Sequence, residues 1–159
     1  MGREMSVKLK RATVNDAELI WKMQVESFSA LLEKYRDYDI SPAAEALDKT
    51  VKRLNSKNTF YYVIETDEGI VGAIRIIVPD DCGKPKRISP LFVLPQFRNR
   101  GIAYEAIKLA EELHGESNWE LETMLQEKAN CRLYEKVGYS RTDEQEIIND
   151  RMTLIYYRK

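Results

Sequence analysis

Leu91-Phe92-Val93-Leu94-Pro95-Gln96-Phe97-Arg98-Asn99-Arg100-Gly101-Ile102-Ala103 is the stretch on which the reading of this sequence turns. An apolar, strand-like run ends at Pro95 and a short basic turn follows. Gly101 then opens a segment in which Ile102, Ala106, Ile107, Ala110 and Leu113 recur at helical spacing as far as a stop at Gly115. A strand that turns directly into a helix aims unpaired N–H groups and the positive end of the helix dipole at one point, which suits phosphate. Gly101 lacks the Cβ that would obstruct close approach, Ala103 keeps the next turn thin, and Arg98 and Arg100 add positive charge. Taken alone, the glycine fits an ordinary strand-to-helix connection with solvated arginines equally well.

Working outward from that turn, the rest of the chain alternates strand and helix patterns. Val7 to Ala12 alternates apolar and basic residues as a strand, and Thr13 to Asp16 offers capping side chains for a helix from about Asp16 to Leu32. Ser41-Pro42 predicts a second helix from Pro42 or Ala43 to Leu54. The polar, aromatic connector between them, Glu33 to Ile40, is a natural place for substrate contacts. Phe60 to Thr66 and Ile70 to Val78 flank Asp67-Glu68-Gly69 as a tight hairpin. Arg87 to Leu94 is a third β-rich run, and Pro90 within it, having no N–H to donate, predicts a bulge or an unpaired edge. Trp119 to Met124 is strand-like, Lys128 to Val137 helical with Gly138 as its stop, and Met152 to Tyr157 a closing strand. The order is β-α-α-β-β-β-α-β-α-β, an α/β or mixed α+β sheet protein.

Composition narrows the possible functions. The 159 residues carry 25 Lys and Arg against 26 Asp and Glu, without a concentrated basic run, which argues against a nucleic-acid partner. Cys82 and Cys131 form no C-x-x-C pair, so neither a disulfide framework nor a metal site is expected, and a reducing, cytoplasmic setting follows. The apolar runs are too short to cross a bilayer. Met1 to Ser6 fits the loose myristoylation pattern but has no second anchor beside it, so a short disordered start is the simpler reading. With no linker or repeat, residues 1–159 read as a single domain. A homodimer is compatible with the sequence, although no feature points to one.

The central stretch resembles the acetyl-coenzyme A motif of the Gcn5-related N-acetyltransferases: Gln or Arg, two residues, Gly, one residue, then Gly or Ala. Here Arg98, Gly101 and Ala103 meet it, after a strand ending in Val93-Leu94-Pro95. About thirty residues on, Leu133-Tyr134-Glu135-Lys136-Val137-Gly138-Tyr139 resembles the family's Leu-Tyr-Glu-Lys-x-Gly-Phe signature. The resemblance covers roughly Val7 to Tyr157. It departs where many members have Asn seven residues before the tyrosine and Ala four before it, since this chain has Glu127 and Asn130; Asn130 would then supply the cofactor contact from the neighbouring turn.

The resemblance implies a central, mostly antiparallel twisted sheet with a splayed parallel pair, flanked by helices. It implies acetyl-coenzyme A as co-substrate, no metal, and a small-molecule, amino-acid or peptide amine attacking directly in a ternary complex. Backbone groups of Phe92, Val93 and Leu94 would pair with the pantetheine arm as an added strand, with an N–H near Phe92 facing the thioester oxygen. The turn Arg98, Asn99, Arg100, Gly101, Ile102, Ala103 and Tyr104 would hold the diphosphate. Tyr134 would be the acid: the leaving thiolate has a conjugate-acid pKa of roughly 8 to 9, and a phenol near 10 is a plausible donor to it. Without the flanking motif, Tyr134 would read as a tyrosine packed on a helix.

The attacking amine must first lose a proton. Glu65, Glu120, Glu122 and Asp37 are candidate bases, each also readable as a solvated carboxylate, and none is singled out. His114, the sole histidine, sits at a helix end where a dipole interaction or exposure explains it. Tyr35, Asp37 and Tyr38 are the substrate candidates, the acid suiting a cationic amine, whereas Trp21 and Phe28 are more often core. The rival readings are a non-catalytic acyl-coenzyme A sensor on the same fold and a nucleotide-phosphate enzyme. The latter is disfavoured by the absence of a P-loop Lys-Ser or Lys-Thr and of any G-x-G-x-x-G.

Overall fold

The computed structural model describes residues 6–81 and 83–159. The expected disordered start with its myristoylation pattern falls on residues 1–5 and the first described residue, and Cys82 also lies outside the described residues.

Strand β1 (Lys8–Arg11) passes through a 3-10 turn at Val14–Asp16 into helix α1 (Ala17–Tyr35). Thr13 and Asp16 form a capping box over that turn, with the Asp16 carboxylate accepting from Thr13 N–H at 2.9 Å. The helix runs past its expected end at Leu32. It stops where Arg36 turns to a left-handed φ of 54° and closes its N–H on the Leu32 carbonyl. Tyr35 is thus a helical residue and not part of the connector.

Helix α2 (Leu47–Leu54) starts later than Ser41-Pro42 predicts. Those residues cap a separate 3-10 turn, Pro42–Ala44, which Glu45 ends by turning extended. The break has a use: Trp21 Nε1 donates to the Glu45 carbonyl at 2.8 Å, pinning the turn onto α1.

Strands β2 (Thr59–Thr66) and β3 (Gly69–Ile77) form the expected hairpin, followed by β4 (Lys86–Val93), α3 (Ile102–His114), β5 (Trp119–Met124), α4 (Lys128–Val137), β6 (Ser140–Ile147) and β7 (Thr153–Arg158). The seven strands lie in the order β1-β2-β3-β4-β5-β7-β6, antiparallel throughout except for the β4–β5 pair. Strand β6 is absent from the order expected from sequence. Its residues, Ser-Arg-Thr-Asp-Glu-Gln-Glu-Ile, carry no strand pattern and are nearly all exposed. Backbone pairing with β7 alone makes it a strand, and its charges blunt the sheet edge.

Each face of the sheet buries its own apolar cluster. Ile64, Ile74, Ile76, Trp119 and Tyr157 pack with Ile107 beneath α3 and α4, and Tyr61, Val63 and Phe92 pack with Ile20 and Met23 beneath α1. At Gly72 the two central strands come so close that a Cβ would lie 2.1 Å from the Phe92 carbonyl oxygen. No helix among the described residues is long and apolar enough to cross a membrane.

Candidate active site

The parallel pair β4–β5 is joined only at Lys86↔Trp119 and Arg87↔Glu120. Beyond that point β4 continues along β3, while β5 continues along β7, and a gap opens between them. The bulge predicted at Pro90 sits here: Ser89 and Pro90 lie opposite the single residue Arg75, whose Nε donates to the Ser89 carbonyl.

Which backbone groups face the gap follows from the phase of the ladder. Leu94 N–H donates to Val71 O at 2.8 Å, and the Phe92 carbonyl points at Gly72. Antiparallel alternation therefore turns Phe92 and Leu94 to β3 and leaves Leu91 and Val93 facing the gap. This corrects the sequence-based expectation. Of Phe92, Val93 and Leu94 only Val93 offers backbone to the gap, Leu91 joins it, and the N–H of Phe92 lies on the β3 edge. The Phe92 side chain belongs to the core beneath α1, 4% exposed and edge-on to Phe28 at 5.9 Å.

After β4, a 3-10 turn at Pro95–Phe97 leads to Asn99 (φ 64°) and Gly101 (φ 77°), both left-handed, and then to α3. The first helical bond runs from Glu105 N–H to Gly101 O, so the amides of Ile102, Ala103 and Tyr104 precede it, and no side chain caps them. Apart from its immediate chain neighbours, no atom of the described residues lies within 4 Å of the position of a Cβ on Gly101. The glycine is thus required by its φ and opens onto free space. Of the two arginines, Arg98 does not act as a free charge, for its Nε donates to the Val93 carbonyl at 3.0 Å and its Nη2 to the Ser27 carbonyl at 2.7 Å. Arg100 is half-exposed, stands over the Phe97 ring and pairs with Glu68 at 2.6 Å. The Tyr104 ring carries the Lys136 ammonium at 4.8 Å, tying α3 to α4.

The gap opens on the α1 side into a cleft of about 430 Å³. Asn130 and Tyr134, one turn apart on α4, both line it. The Tyr134 ring lies against Tyr139 and Tyr157, at 6.1 and 6.2 Å between centroids, and burial pushes its phenol up to about 12. Among the described residues no group hydrogen-bonds its hydroxyl. Glu127, where the family pattern has Asn, turns away to accept from Tyr35 O–H and from Lys34 at 2.9 Å, contacts that hold its carboxylate below the usual range despite burial.

The three expected substrate residues separate. Tyr35 is buried and engaged with Glu127, and Tyr38 is 63% exposed and does not line the cleft. Asp37 alone lines the cleft; it is 4% exposed, one of its carboxylate oxygens has no partner, and burial raises its pKa. Among the candidate bases, Glu65 lies opposite Lys8 in the β1–β2 ladder and does not line the cleft, Glu120 pairs with Arg87 at 2.7 Å, and Glu122 lines the cleft. His114 is neither exposed nor merely a helix-end charge: its Nε2 shares a 2.9 Å hydrogen bond with Tyr62 O–H against the Phe60 ring. Burial, Lys86 and Arg11 lower its pKa.

Sequence reading did not find Leu91 or the far wall, where Glu146, Ile148 and Met152 of the β6–β7 region line the cleft. The one local signal there is the turn at Asn149-Asp150-Arg151. Asn149 Nδ2 donates to the Tyr35 carbonyl at 2.8 Å and Arg151 to that of Lys34 at 3.3 Å, which fastens this loop to the C-terminal end of α1.

The acetyltransferase (GNAT) family profile matches residues 19–139. No curated protein matches the sequence as a relative. Solved structures resemble it throughout. A spermidine N-acetyltransferase from Vibrio cholerae, in complex with CoA and spermine, superposes with a TM-score of 0.73 at 16% identity, covering 95% of this chain and 93% of that one. The PaiA N-acetyltransferase from Thermoplasma acidophilum, in complex with coenzyme A, gives 0.67 at 15% identity over 98% and 100%. The ribosomal-protein-S18-alanine N-acetyltransferase from Escherichia coli gives 0.72 at 11% over 96% and 92%. At such identities the likeness is one of fold.

Proposed function

This chain belongs to the acetyltransferase (GNAT) family, and on that premise we propose that it moves an acetyl group from acetyl-coenzyme A to the primary amine of a small molecule, amino acid or peptide in a ternary complex. The observation that carries this reading is the splay of β4 from β5, with three uncapped amides at the N-terminus of the helix that follows β4 and a cleft beside its edge lined by Leu91, Tyr134 and Asp37. The residues fit the donor, because Gly101 opens onto free space beside those amides and the β4 edge offers unpaired backbone.

Bound acetyl-coenzyme A would supply an acyl carbon activated by its thioester. The amides of Ile102, Ala103 and Tyr104, with the turn Asn99–Gly101, hold the diphosphate, and those of Leu91 and Val93 pair with the pantetheine arm. A gap-facing N–H stabilises the negative charge that develops on the carbonyl oxygen. Asn130 stands beside Tyr134 for a further polar contact. Written for a protonated acceptor, the ammonium loses one proton to solvent and the neutral nitrogen forms the C–N bond. The C–S bond breaks with its electron pair on sulfur, sulfur takes a proton from Tyr134, and the second nitrogen proton restores the phenol through solvent.

Magnitude limits what Tyr134 does. A phenol near 12 is about three to four pKa units weaker as an acid than the thiol it would form, so complete transfer in advance costs about 4 to 5 kcal/mol. Its contribution is therefore a hydrogen bond to the developing thiolate, with transfer completed as the attacking nitrogen gives up its proton.

Calorimetry with acetyl-coenzyme A beside ATP and NAD, together with product detection over a panel of amines, tests the reading. Selective binding of acetyl-coenzyme A with an acetylated product supports it. Binding without any product favours the alternative, a non-catalytic acyl-coenzyme A sensor on the same fold.

A further inference from the structure

The cleft carries more carboxylate than its own cations neutralise. Glu45 is fully matched, gripped by Arg53 through bonds of 2.8 and 2.9 Å, with Lys49 at 3.1 Å and the Gln24 amide at 2.8 Å. Glu122 has only Arg87 at 3.6 Å, and that guanidinium already holds Glu120 at 2.7 Å. Asp37, Asp39 and Glu146 also line the cleft, and among the described residues none of them forms an ion pair.

Asp37 is different in kind from a solvated acid. It is 4% exposed, its Oδ1 has no hydrogen-bond partner among the described residues, and its backbone carbonyl accepts from Ile40 and Ser41 N–H at 3.0 and 2.8 Å. Burying a carboxylate in this way is unfavourable unless a cation or donor completes it. Burial accordingly raises its pKa, and no cationic side chain acts to lower it. An ammonium entering the cleft supplies what is missing.

That ammonium is not the nitrogen that reacts. A carboxylate in contact with an ammonium favours its charged form and raises its pKa, whereas the nucleophile must be neutral. The cations that line the cleft, Lys49 and Arg53, are already bound to Glu45, so among the described residues the cleft has no free cationic partner for an anionic acceptor. We propose that the acceptor is a small aliphatic di- or polyamine whose non-reacting ammonium is held by Asp37, with Asp39 and Glu146 adding to the negative field along the cleft. This rests on the acetyltransferase reading and goes further by fixing the substrate class.

Steady-state kinetics with acetyl-coenzyme A and matched pairs of acceptors, alkyl monoamines against α,ω-diamines of equal length, test it. The diamines should be preferred in kcat/KM by roughly 10- to 100-fold, the range for one charge-assisted hydrogen bond. Asp37→Asn should raise KM for the diamine by a similar factor, hold kcat within about two-fold, and bring the diamine-to-monoamine ratio toward one. Equal use of both acceptors by the native protein overturns the proposal while leaving acetyl transfer intact, and so does a loss in kcat instead of KM in the variant, the mark of a general base. Failure to bind acetyl-coenzyme A, or to acetylate any amine, would instead overturn the functional reading beneath it. Should Asp37→Asn not fold, the native protein's preference between matched acceptors decides the matter by itself.

Discussion

Arg98 Nε donates to the carbonyl of Val93 at 3.0 Å, closing the basic turn back onto the strand that precedes it, and the same guanidinium reaches the Ser27 carbonyl on α1. One side chain thus sets the distance between the splayed edge of β4 and the N-terminus of α3. The expected effect of Arg98→Lys follows from geometry: charge is kept, but a lysine cannot serve two carbonyls in the fork arrangement. The dissociation constant for acetyl-coenzyme A, measured by calorimetry, should rise by about 10-fold with its salt dependence nearly unchanged. Full retention of affinity by Arg98→Lys would show that charge, not positioning, is what Arg98 contributes.

Tyr134→Phe removes only the hydroxyl, and the ring keeps its place against Tyr139 and Tyr157. Because the phenol acts mainly through a hydrogen bond, kcat should fall by roughly 10- to 100-fold with little change in either KM. The native kcat/KM should rise with pH as the acceptor amine, of pKa about 10, is deprotonated. No falling limb from Tyr134 is expected below pH 11, since its phenol is held near 12. A descending limb between pH 8 and pH 10 that disappears in the variant would contradict this assignment.

The buried carboxylate of Asp37 makes a prediction about stability that needs no substrate. Its folded-state pKa is raised above that of the unfolded chain, so the proton is bound more tightly in the native state. The stabilisation linked to it is present below the unfolded pKa and is lost as pH rises through the folded one. At neutral pH the ionised group therefore opposes folding, and Asp37→Asn should raise Tm in thermal melts at pH 7. The difference should vanish in melts near pH 3, where both chains are neutral at this position.

On the other face of the sheet, Glu111 is 2% exposed and accepts from Lys159 Nζ at 2.7 Å, while the same ammonium donates to the Val137 carbonyl at 3.0 Å. Lys159→Met leaves a buried carboxylate without its cation and should cost about 3 kcal/mol, the lower end for breaking a buried pair, because the lysine keeps some solvent contact. Adding Glu111→Gln should restore most of that loss in urea unfolding. If the double variant is no more stable than the single one, the pair is not coupled as its geometry implies.

The strand-to-helix turn at Gly101, the Asp67-Glu68 hairpin, the bulge at Pro90 and the cleft position of Tyr134 were legible in the sequence, because each depends on neighbours a few residues away: an apolar period, a cap, a missing N–H, a motif on one helix. The phase of β4 was not, since whether Phe92 or Val93 faces the gap is set by its pairing with β3 about twenty residues earlier in the chain. Strand β6 has no pattern of its own and exists through its ladder with β7. Asp37 and Asp39 look alike in the sequence, yet only the fold of the connector buries one of them, and only the fold shows that Arg98 gives two of its donors to the Val93 and Ser27 carbonyls. Local periodicity thus determines the elements and the turn that opens α3. Long-range backbone pairing, which no short window of sequence encodes, decides which groups point into the cleft and which charges remain there uncompensated.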